Sequence, residues 1–77
     1  MTIEQILNSV KTIEDYDMIA NGTIFALVKS GKGNYSIRQA FRNYYGEYNG
    51  FSIVKLLGNV SKEIAILDFE ELVNNCR

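Results

Sequence analysis

The sequence predicts a small α+β domain, and three observations lead to this fold class. Apolar residues recur at helical spacing behind a capping-box pattern near the N-terminus, and acidic residues near the C-terminus suit the first turn of a helix. Between them lie short apolar runs separated by Gly-containing turns, which is typical of strands. The chain has 77 residues, of which 47% are hydrophobic. This length allows one folded core and no second one, so we predict a single domain over residues 1–77.

The first element is predicted to be a helix over residues 3–11. Thr2 and Gln5 have the three-residue spacing of a capping box, in which each side chain bonds the other residue's backbone N–H. Behind this pattern the apolar residues fall on one helical face: Ile3, Ile6, Leu7 and Val10. An amphipathic N-terminal helix follows.

Asn21 and Gly22 allow two interpretations of the next segment. They can end a short second helix that Thr12 caps, with Gly22 in the left-handed conformation. They can also form a two-residue type I′ turn that joins a strand at 16–20 to one at 23–29. Both interpretations include the strand at 23–29, whose apolar run predicts burial on both faces. The Gly-rich segment 30–34 is then a turn.

Residues 36–48, with the sequence SIRQAFRNYYGEY, are predicted to form a central helix. Ser36 suits the N-cap and Gly46 suits the end of the helix. The apolar positions form a continuous helical stripe: Ile37, Ala40, Phe41, Tyr44 and Tyr48. The alternative is a strand that pairs with 23–29, but this strand would have to bury Gln39.

The C-terminal third is predicted to hold a strand and a helix. Asn49-Gly50 is a turn, residues 51–57 read as a strand, and Gly58-Asn59 turns the chain again. Residues 63–67 are either a short strand or the start of a long final helix. Asp68 is a candidate cap for this helix, with Glu70 and Glu71 in its first turn. The whole chain is thus expected to hold an N-terminal helix, two to four strands, a central helix and a C-terminal helix.

The residue types argue against catalysis and against a bound metal or cofactor. The chain has no His, which removes the commonest general base and leaves Cys76 without an activating partner. Neither acidic cluster, near Asp15 or near Asp68, has the spacing of an EF-hand loop. The segment GKGN at 31–34 lacks the spacing and the Ser or Thr of a P-loop. We expect a protein that is not an enzyme and binds no cofactor.

Three features of the chain predict a cytoplasmic location without a membrane partner. The longest apolar run, 24–28, is far shorter than a membrane span. The first ten residues lack the basic cluster of a secretory signal. The single cysteine excludes an internal disulfide, which small secreted scaffolds usually need.

Charge is distributed unevenly along the chain. Residues 1–22 carry a net charge of −3, residues 23–62 carry +5, and residues 63–77 carry −3, for a total of −1. A basic middle segment can serve an anionic partner, but it can equally pair internally with the two acidic ends.

The basic middle segment also holds the candidate contact surface. On a helix, Arg38, Arg42 and Tyr45 would share the outward face, and on a strand the two arginines would still share a face. Lys32 in the preceding turn, and also Lys55, would extend this surface. Arg and Tyr are enriched at binding hot spots. We therefore predict that a partner contacts Arg38, Arg42, Tyr45 and Lys32.

Two functions fit this surface. The first is a non-catalytic module that binds a larger protein or a nucleoprotein complex. A short chain rich in Ile, Asn, Lys and Tyr suits a phage or mobile-element accessory factor, including an inhibitor of a host defence complex. The second is nucleic-acid binding by the basic, Tyr-rich segment. The overall charge of −1 favours a protein partner. A homodimer is also allowed, and exposure of Phe25, Leu27 or Tyr48 would favour it.

Overall fold

The computed structural model describes all 77 residues and consists of one antiparallel sheet and two helices. Along the chain the elements are α1 (Ile3–Asn8), β1 (Ile13–Met18), β2 (Ile24–Lys29), β3 (Tyr35–Ala40), β4 (Ser52–Gly58) and α2 (Lys62–Cys76). Strands that are consecutive in the chain are neighbours in the sheet, in the order β1-β2-β3-β4. The α+β class is confirmed, but the predicted central helix is wrong.

Helix α1 begins where the capping box predicts. The Thr2 hydroxyl accepts a hydrogen bond from the Gln5 backbone N–H at 3.2 Å, and the Gln5 side chain accepts one from the Thr2 N–H at 2.9 Å. The helix ends at Asn8, three residues earlier than expected, because Ser9 closes it by donating to the Ile6 carbonyl. Ile6 is the residue that α1 buries fully.

Three turns of the chain share one hydrogen-bond pattern. In residues 19–23, 30–34 and 43–47, the first residue accepts from the N–H three positions later and donates its own N–H to the carbonyl four positions later. The fourth residue of each turn is a glycine with φ between +79° and +88°. This is the three-residue hairpin loop that ends in a left-handed residue, a conformation that glycine adopts without steric cost.

The first of these turns decides between the two interpretations of Asn21-Gly22. A hairpin joins β1 to β2, so the helical interpretation is wrong. The turn is not type I′, since Gly22 has a positive φ and Asn21 does not. Strand β2 is buried on both faces, as its apolar run predicts.

Residues 35–40 form strand β3 instead of the first half of a central helix. β3 pairs with β2 and β4 on its two sides, so its hydrogen bonds are satisfied within the sheet. Both faces of β3 are covered, and it shows no clear alternation of buried and exposed residues. In the supposed helical stripe, Phe41 and Tyr44 are exposed. The helical spacing was thus coincidental, and Gly46 ends a hairpin turn rather than a helix.

Helix α2 is a single 15-residue helix, which confirms the alternative of a long final helix over residues 63–67. Its N-cap is Ser61, whose hydroxyl accepts from the Ile64 N–H at 3.3 Å. The prediction that Asp68 caps the helix is wrong, because Asp68 lies within it. Neither helix of the protein is long and apolar enough to span a bilayer.

The sheet is covered by one hydrophobic cluster on each of its two faces. The larger lies between the sheet and α2 and consists of Phe25, Leu27, Tyr35, Ile37, Ala65, Phe69 and Val73. The smaller lies on the opposite face, under α1, and consists of Ile6, Ile24, Ala40 and Tyr48. The three residues whose exposure would have favoured a homodimer, Phe25, Leu27 and Tyr48, are therefore all buried.

Candidate binding surface

The structure separates the four residues that the sequence predicts to form one surface. Arg38 lies within β3 on the face opposite α2, and its Nε donates to the Ser36 hydroxyl at 3.4 Å. Arg42 and Tyr45 follow β3 in a hairpin, while Lys32 lies in the turn before β3. A six-residue strand is about 20 Å long. Lys32 is therefore at the other end of the sheet from Arg42 and Tyr45, and only the last two are close neighbours.

We refer to residues 42–48 as the tyrosine hairpin. Arg42 and Tyr48 form its antiparallel bridge, and Asn43 organises its turn. The Asn43 N–H donates to the Glu47 carbonyl at 2.7 Å. The Asn43 side-chain oxygen accepts from the backbone N–H groups of Tyr45 and Glu47, both at 2.9 Å. The backbone of the turn is therefore fixed by its own hydrogen bonds.

Tyr48 anchors the tyrosine hairpin to the rest of the fold. Its side chain is 98% buried in the smaller cluster, and its hydroxyl donates to the Gly22 carbonyl at 2.5 Å. Its backbone N–H donates to the Met1 carbonyl at 2.9 Å. Arg42 contacts the same turn, because a Cβ placed on Gly22 would lie 2.9 Å from the Arg42 Cζ. The hairpin is thus held by the β1–β2 turn and by the segment before α1.

The anchored hairpin presents two tyrosine side chains to solvent. Tyr44 is 96% exposed and Tyr45 is 84% exposed. Their rings contact edge to face, with centroids 5.5 Å apart and an interplanar angle of 89°. Phe41, just before the hairpin, is exposed as well. Three aromatic side chains on one short segment therefore lie outside both hydrophobic clusters.

Internal charge pairing accounts for little of the basic middle segment. Lys62 pairs with Glu14 at 3.4 Å, and Arg77 at the other end of α2 pairs with Asp17. The other basic residues of the middle segment form no salt bridge: Lys29, Lys32, Arg38, Arg42 and Lys55. Lys29 instead lies over the Tyr35 ring, 5.9 Å from its centroid.

The acidic residues do not assemble into a metal site. No group of three or more Cys, Asp or Glu side chains is arranged so that it could hold an ion. Asp15 and Asp17 instead accept hydrogen bonds from the backbone N–H groups of Tyr16 and Met18.

Sequence reasoning missed Tyr44 and Phe41 as surface residues, because the helical interpretation turned both inward. A signal was present in the spacing of glycine. The segment NYYGE has its glycine at the same position as SGKGN, which the sequence predicts to be a turn and which forms one. Three-residue hairpin loops place glycine there because the position is left-handed. Applied to 43–47, this rule predicts a turn with both tyrosines at its tip.

Comparisons with protein-family models, with curated proteins and with solved structures all find no match.

Proposed function

We propose that the protein is a non-catalytic binding module and that the tyrosine hairpin contacts a protein partner. The observation that supports this most strongly is the exposure of Tyr44 and Tyr45 on a turn fixed by hydrogen bonds. An exposed aromatic ring is stabilised when a partner buries it. Because the turn is already ordered, binding loses little backbone entropy there. Arg42 beside them supplies a forked donor, a frequent companion of Tyr at hot spots.

The charge of the hairpin favours a protein over a phosphate backbone. Arg42 and Glu47 carry opposite charges within the same short segment, so the hairpin is close to neutral. The neighbouring Phe41 adds apolar surface, which protein partners cover well. The proposed partner is a larger cytoplasmic protein or nucleoprotein complex. The most specific form of this proposal is a phage or mobile-element factor that inhibits a host defence complex, which rests on chain length and composition.

Nucleic-acid binding is the second candidate, and the five basic residues without salt bridges favour it. Their placement weakens it. Lys32 and Arg42 lie at opposite ends of β3, and Arg38 and Lys55 lie on opposite faces of the sheet. A phosphate backbone would contact only part of this set at once. Affinity for nucleic acid rises with the number of neutralised phosphates, so the scattered arrangement predicts weak binding.

The test is affinity capture from a lysate of the source organism, with and without nuclease, followed by mass spectrometry. The proposal predicts a protein that is retained after nuclease treatment. Recovery that disappears with nuclease would contradict it and favour the nucleic-acid candidate. A direct titration with single-stranded DNA at physiological salt provides the second readout. The proposal predicts a dissociation constant no tighter than about 10⁻⁴ M, the weak end of non-specific binding.

A further inference from the structure

The two free edges of the sheet differ in their hydrogen bonds. On β1, the N–H groups of Tyr16 and Met18 point away from β2, and each is bonded by the carboxylate of the preceding residue, at 2.9 Å and 2.8 Å. These carboxylates occupy the positions that an incoming strand would need, and they would repel its carbonyl groups. Charged side chains on an edge are a recognised protection against further pairing. The β1 edge is therefore closed.

The β4 edge carries one charged side chain, Lys55, which forms no hydrogen bond with the backbone. No side-chain hydrogen bond of the protein reaches the backbone of residues 53–57, and β4 pairs only with β3. Its exposed side chains are mainly apolar: Ile53, Val54 and Leu56. An apolar edge strand with free backbone groups is a template for another strand.

Two irregularities in β4 bring its most exposed apolar side chains onto one face. The pairing with β3 skips Val54 and Leu57, so that Ile53 lies opposite Arg38 and Leu56 lies opposite Ser36. Side chains that are two residues apart in β3 share a face. Ile53 and Leu56 therefore lie together on the face away from α2, although they are three residues apart in the chain.

We propose that β4 pairs antiparallel with β4 of a second copy of this chain, which gives a dimer with one continuous eight-stranded sheet. In the register we propose, Ile53 lies opposite Leu56 of the second copy, and the reciprocal pair forms across the two-fold axis. In this register the two most exposed apolar residues of β4 are buried, because each copy's Ile53 contacts the other copy's Leu56. Val54 then lies opposite Lys55 of the second copy, so the two lysines do not face each other directly.

The carboxylates on the β1 edge favour a closed dimer over a filament. Lys55 lies on the α2 face, where it lines a shallow cavity with Asp68 and Glu71 of its own α2. These carboxylates reduce the repulsion between the two lysines near the axis. Head-to-tail pairing of β4 with β1 would continue without closing, but the carboxylates on β1 block it. Pairing between the two β4 edges closes after two copies.

This dimer leaves the tyrosine hairpin free, so its test is independent of the proposed partner. Sedimentation equilibrium measures the average mass between about 1 μM and about 1 mM, a range that covers the affinity of a small interface. We expect the mass to rise from 8.7 kDa to twice that value. Leu56→Lys should weaken association at least tenfold. The matched control is Leu67→Lys on α2, which adds the same charge at a leucine of similar exposure (64% for Leu67, 73% for Leu56). This variant should leave the association constant unchanged. A wild-type monomer throughout, or equal effects of both variants, would overturn the proposal.

A disulfide experiment tests the register even if Leu56→Lys is poorly folded. On a Cys76→Ser background, one sample carries Ile53→Cys and a second carries Leu56→Cys. Opposed residues on antiparallel strands are within disulfide distance. We expect the mixed dimer to form at least tenfold faster than either homodimer under mild oxidation. Equal rates for all three pairings would overturn the register.

Discussion

The Tyr48 hydroxyl donates a hydrogen bond to the Gly22 carbonyl at 2.5 Å, although the two residues are 26 positions apart in the chain. This bond connects the base of the tyrosine hairpin to the β1–β2 turn. The Tyr48 ring belongs to the same cluster as Ile6 and Ala40, so the hairpin is anchored by both a polar and an apolar contact. The fixed position of Tyr44 and Tyr45 depends on this anchor.

Tyr48→Phe should lower the free energy of unfolding by about 1–2 kcal/mol, because the Gly22 carbonyl loses its donor in a buried site. Urea denaturation measures the change. The control is Tyr45→Phe, since the Tyr45 hydroxyl forms no hydrogen bond within the protein and its ring is exposed. Equal stability of the two variants would show that the Tyr48 hydroxyl is not a structural anchor.

Gly46→Ala should destabilise the protein by about 1–2 kcal/mol, because φ at Gly46 is +79° and a Cβ is unfavourable there. No atom lies within 4 Å of the added Cβ, so the cost comes from the backbone conformation alone. Gly31→Ala is the matched control, since its Cβ would also be free of contacts and its φ is not in the left-handed region. We expect Gly31→Ala to be neutral or stabilising by up to about 1 kcal/mol. A neutral Gly46→Ala variant would contradict the hairpin turn.

The turns show what the sequence predicts well and why the central segment forms a strand where a helix is predicted. The capping box, the strand buried on both faces and the turn at 30–34 depend on local chemistry, and the structure contains each of them. The predicted turn at 49–50 is wrong, because the chain reverses earlier, in the hairpin turn at 43–47, and residues 49–51 form no turn. The choice between helix and strand at 36–48 depends on tertiary contacts. Ile37 and Ala40 are buried in either form, and only the layers on both faces of the sheet decide between the two.

Part of the candidate surface was predictable, because closeness in sequence is also a local property. Arg42 and Tyr45 are close in sequence, so they stay close in space whichever element forms. Lys32 and Arg38 were grouped with them on the assumption of a helix or a continued strand. A strand of six residues instead places Lys32 at the far end of the sheet. Exposure of Tyr44 follows from the turn geometry, which the helical spacing concealed.

Phe69→Ala should bring the free energy of unfolding close to zero, so that about half of the protein is unfolded at 25 °C. Phe69 is 98% buried in the larger cluster, and removing such a side chain costs about 3–5 kcal/mol. A domain of this size has a net stability of about 3–5 kcal/mol. Leu67→Ala on the exposed side of α2 should change stability by less than about 0.5 kcal/mol. Circular dichroism at 25 °C distinguishes the two, and a fully folded Phe69→Ala variant would contradict the proposed core.

The double variant Arg38→Glu with Arg42→Glu should stay folded, because neither arginine forms a salt bridge. Loss of the Arg38–Ser36 hydrogen bond and of the Arg42 contact with the β1–β2 turn should lower the free energy of unfolding by about 1–2 kcal/mol. The double variant should abolish capture of the protein partner. Among the single variants, Arg42→Glu should account for most of this loss, since Arg42 belongs to the tyrosine hairpin. Unfolding of the double variant would show that the arginines serve the fold instead of a partner.

Quantitative capture by the double variant Tyr44→Ala with Tyr45→Ala tests the central claim most directly. Nuclease-treated lysate is applied to the wild type, to this variant and to Tyr16→Ala, whose exposed tyrosine lies on β1. Loss of a hot spot costs about 2 kcal/mol or more, which corresponds to about 30-fold in affinity. The account predicts that the wild type and Tyr16→Ala retain the same protein and that the double variant loses it. Equal retention by all three forms would contradict binding through the tyrosine hairpin.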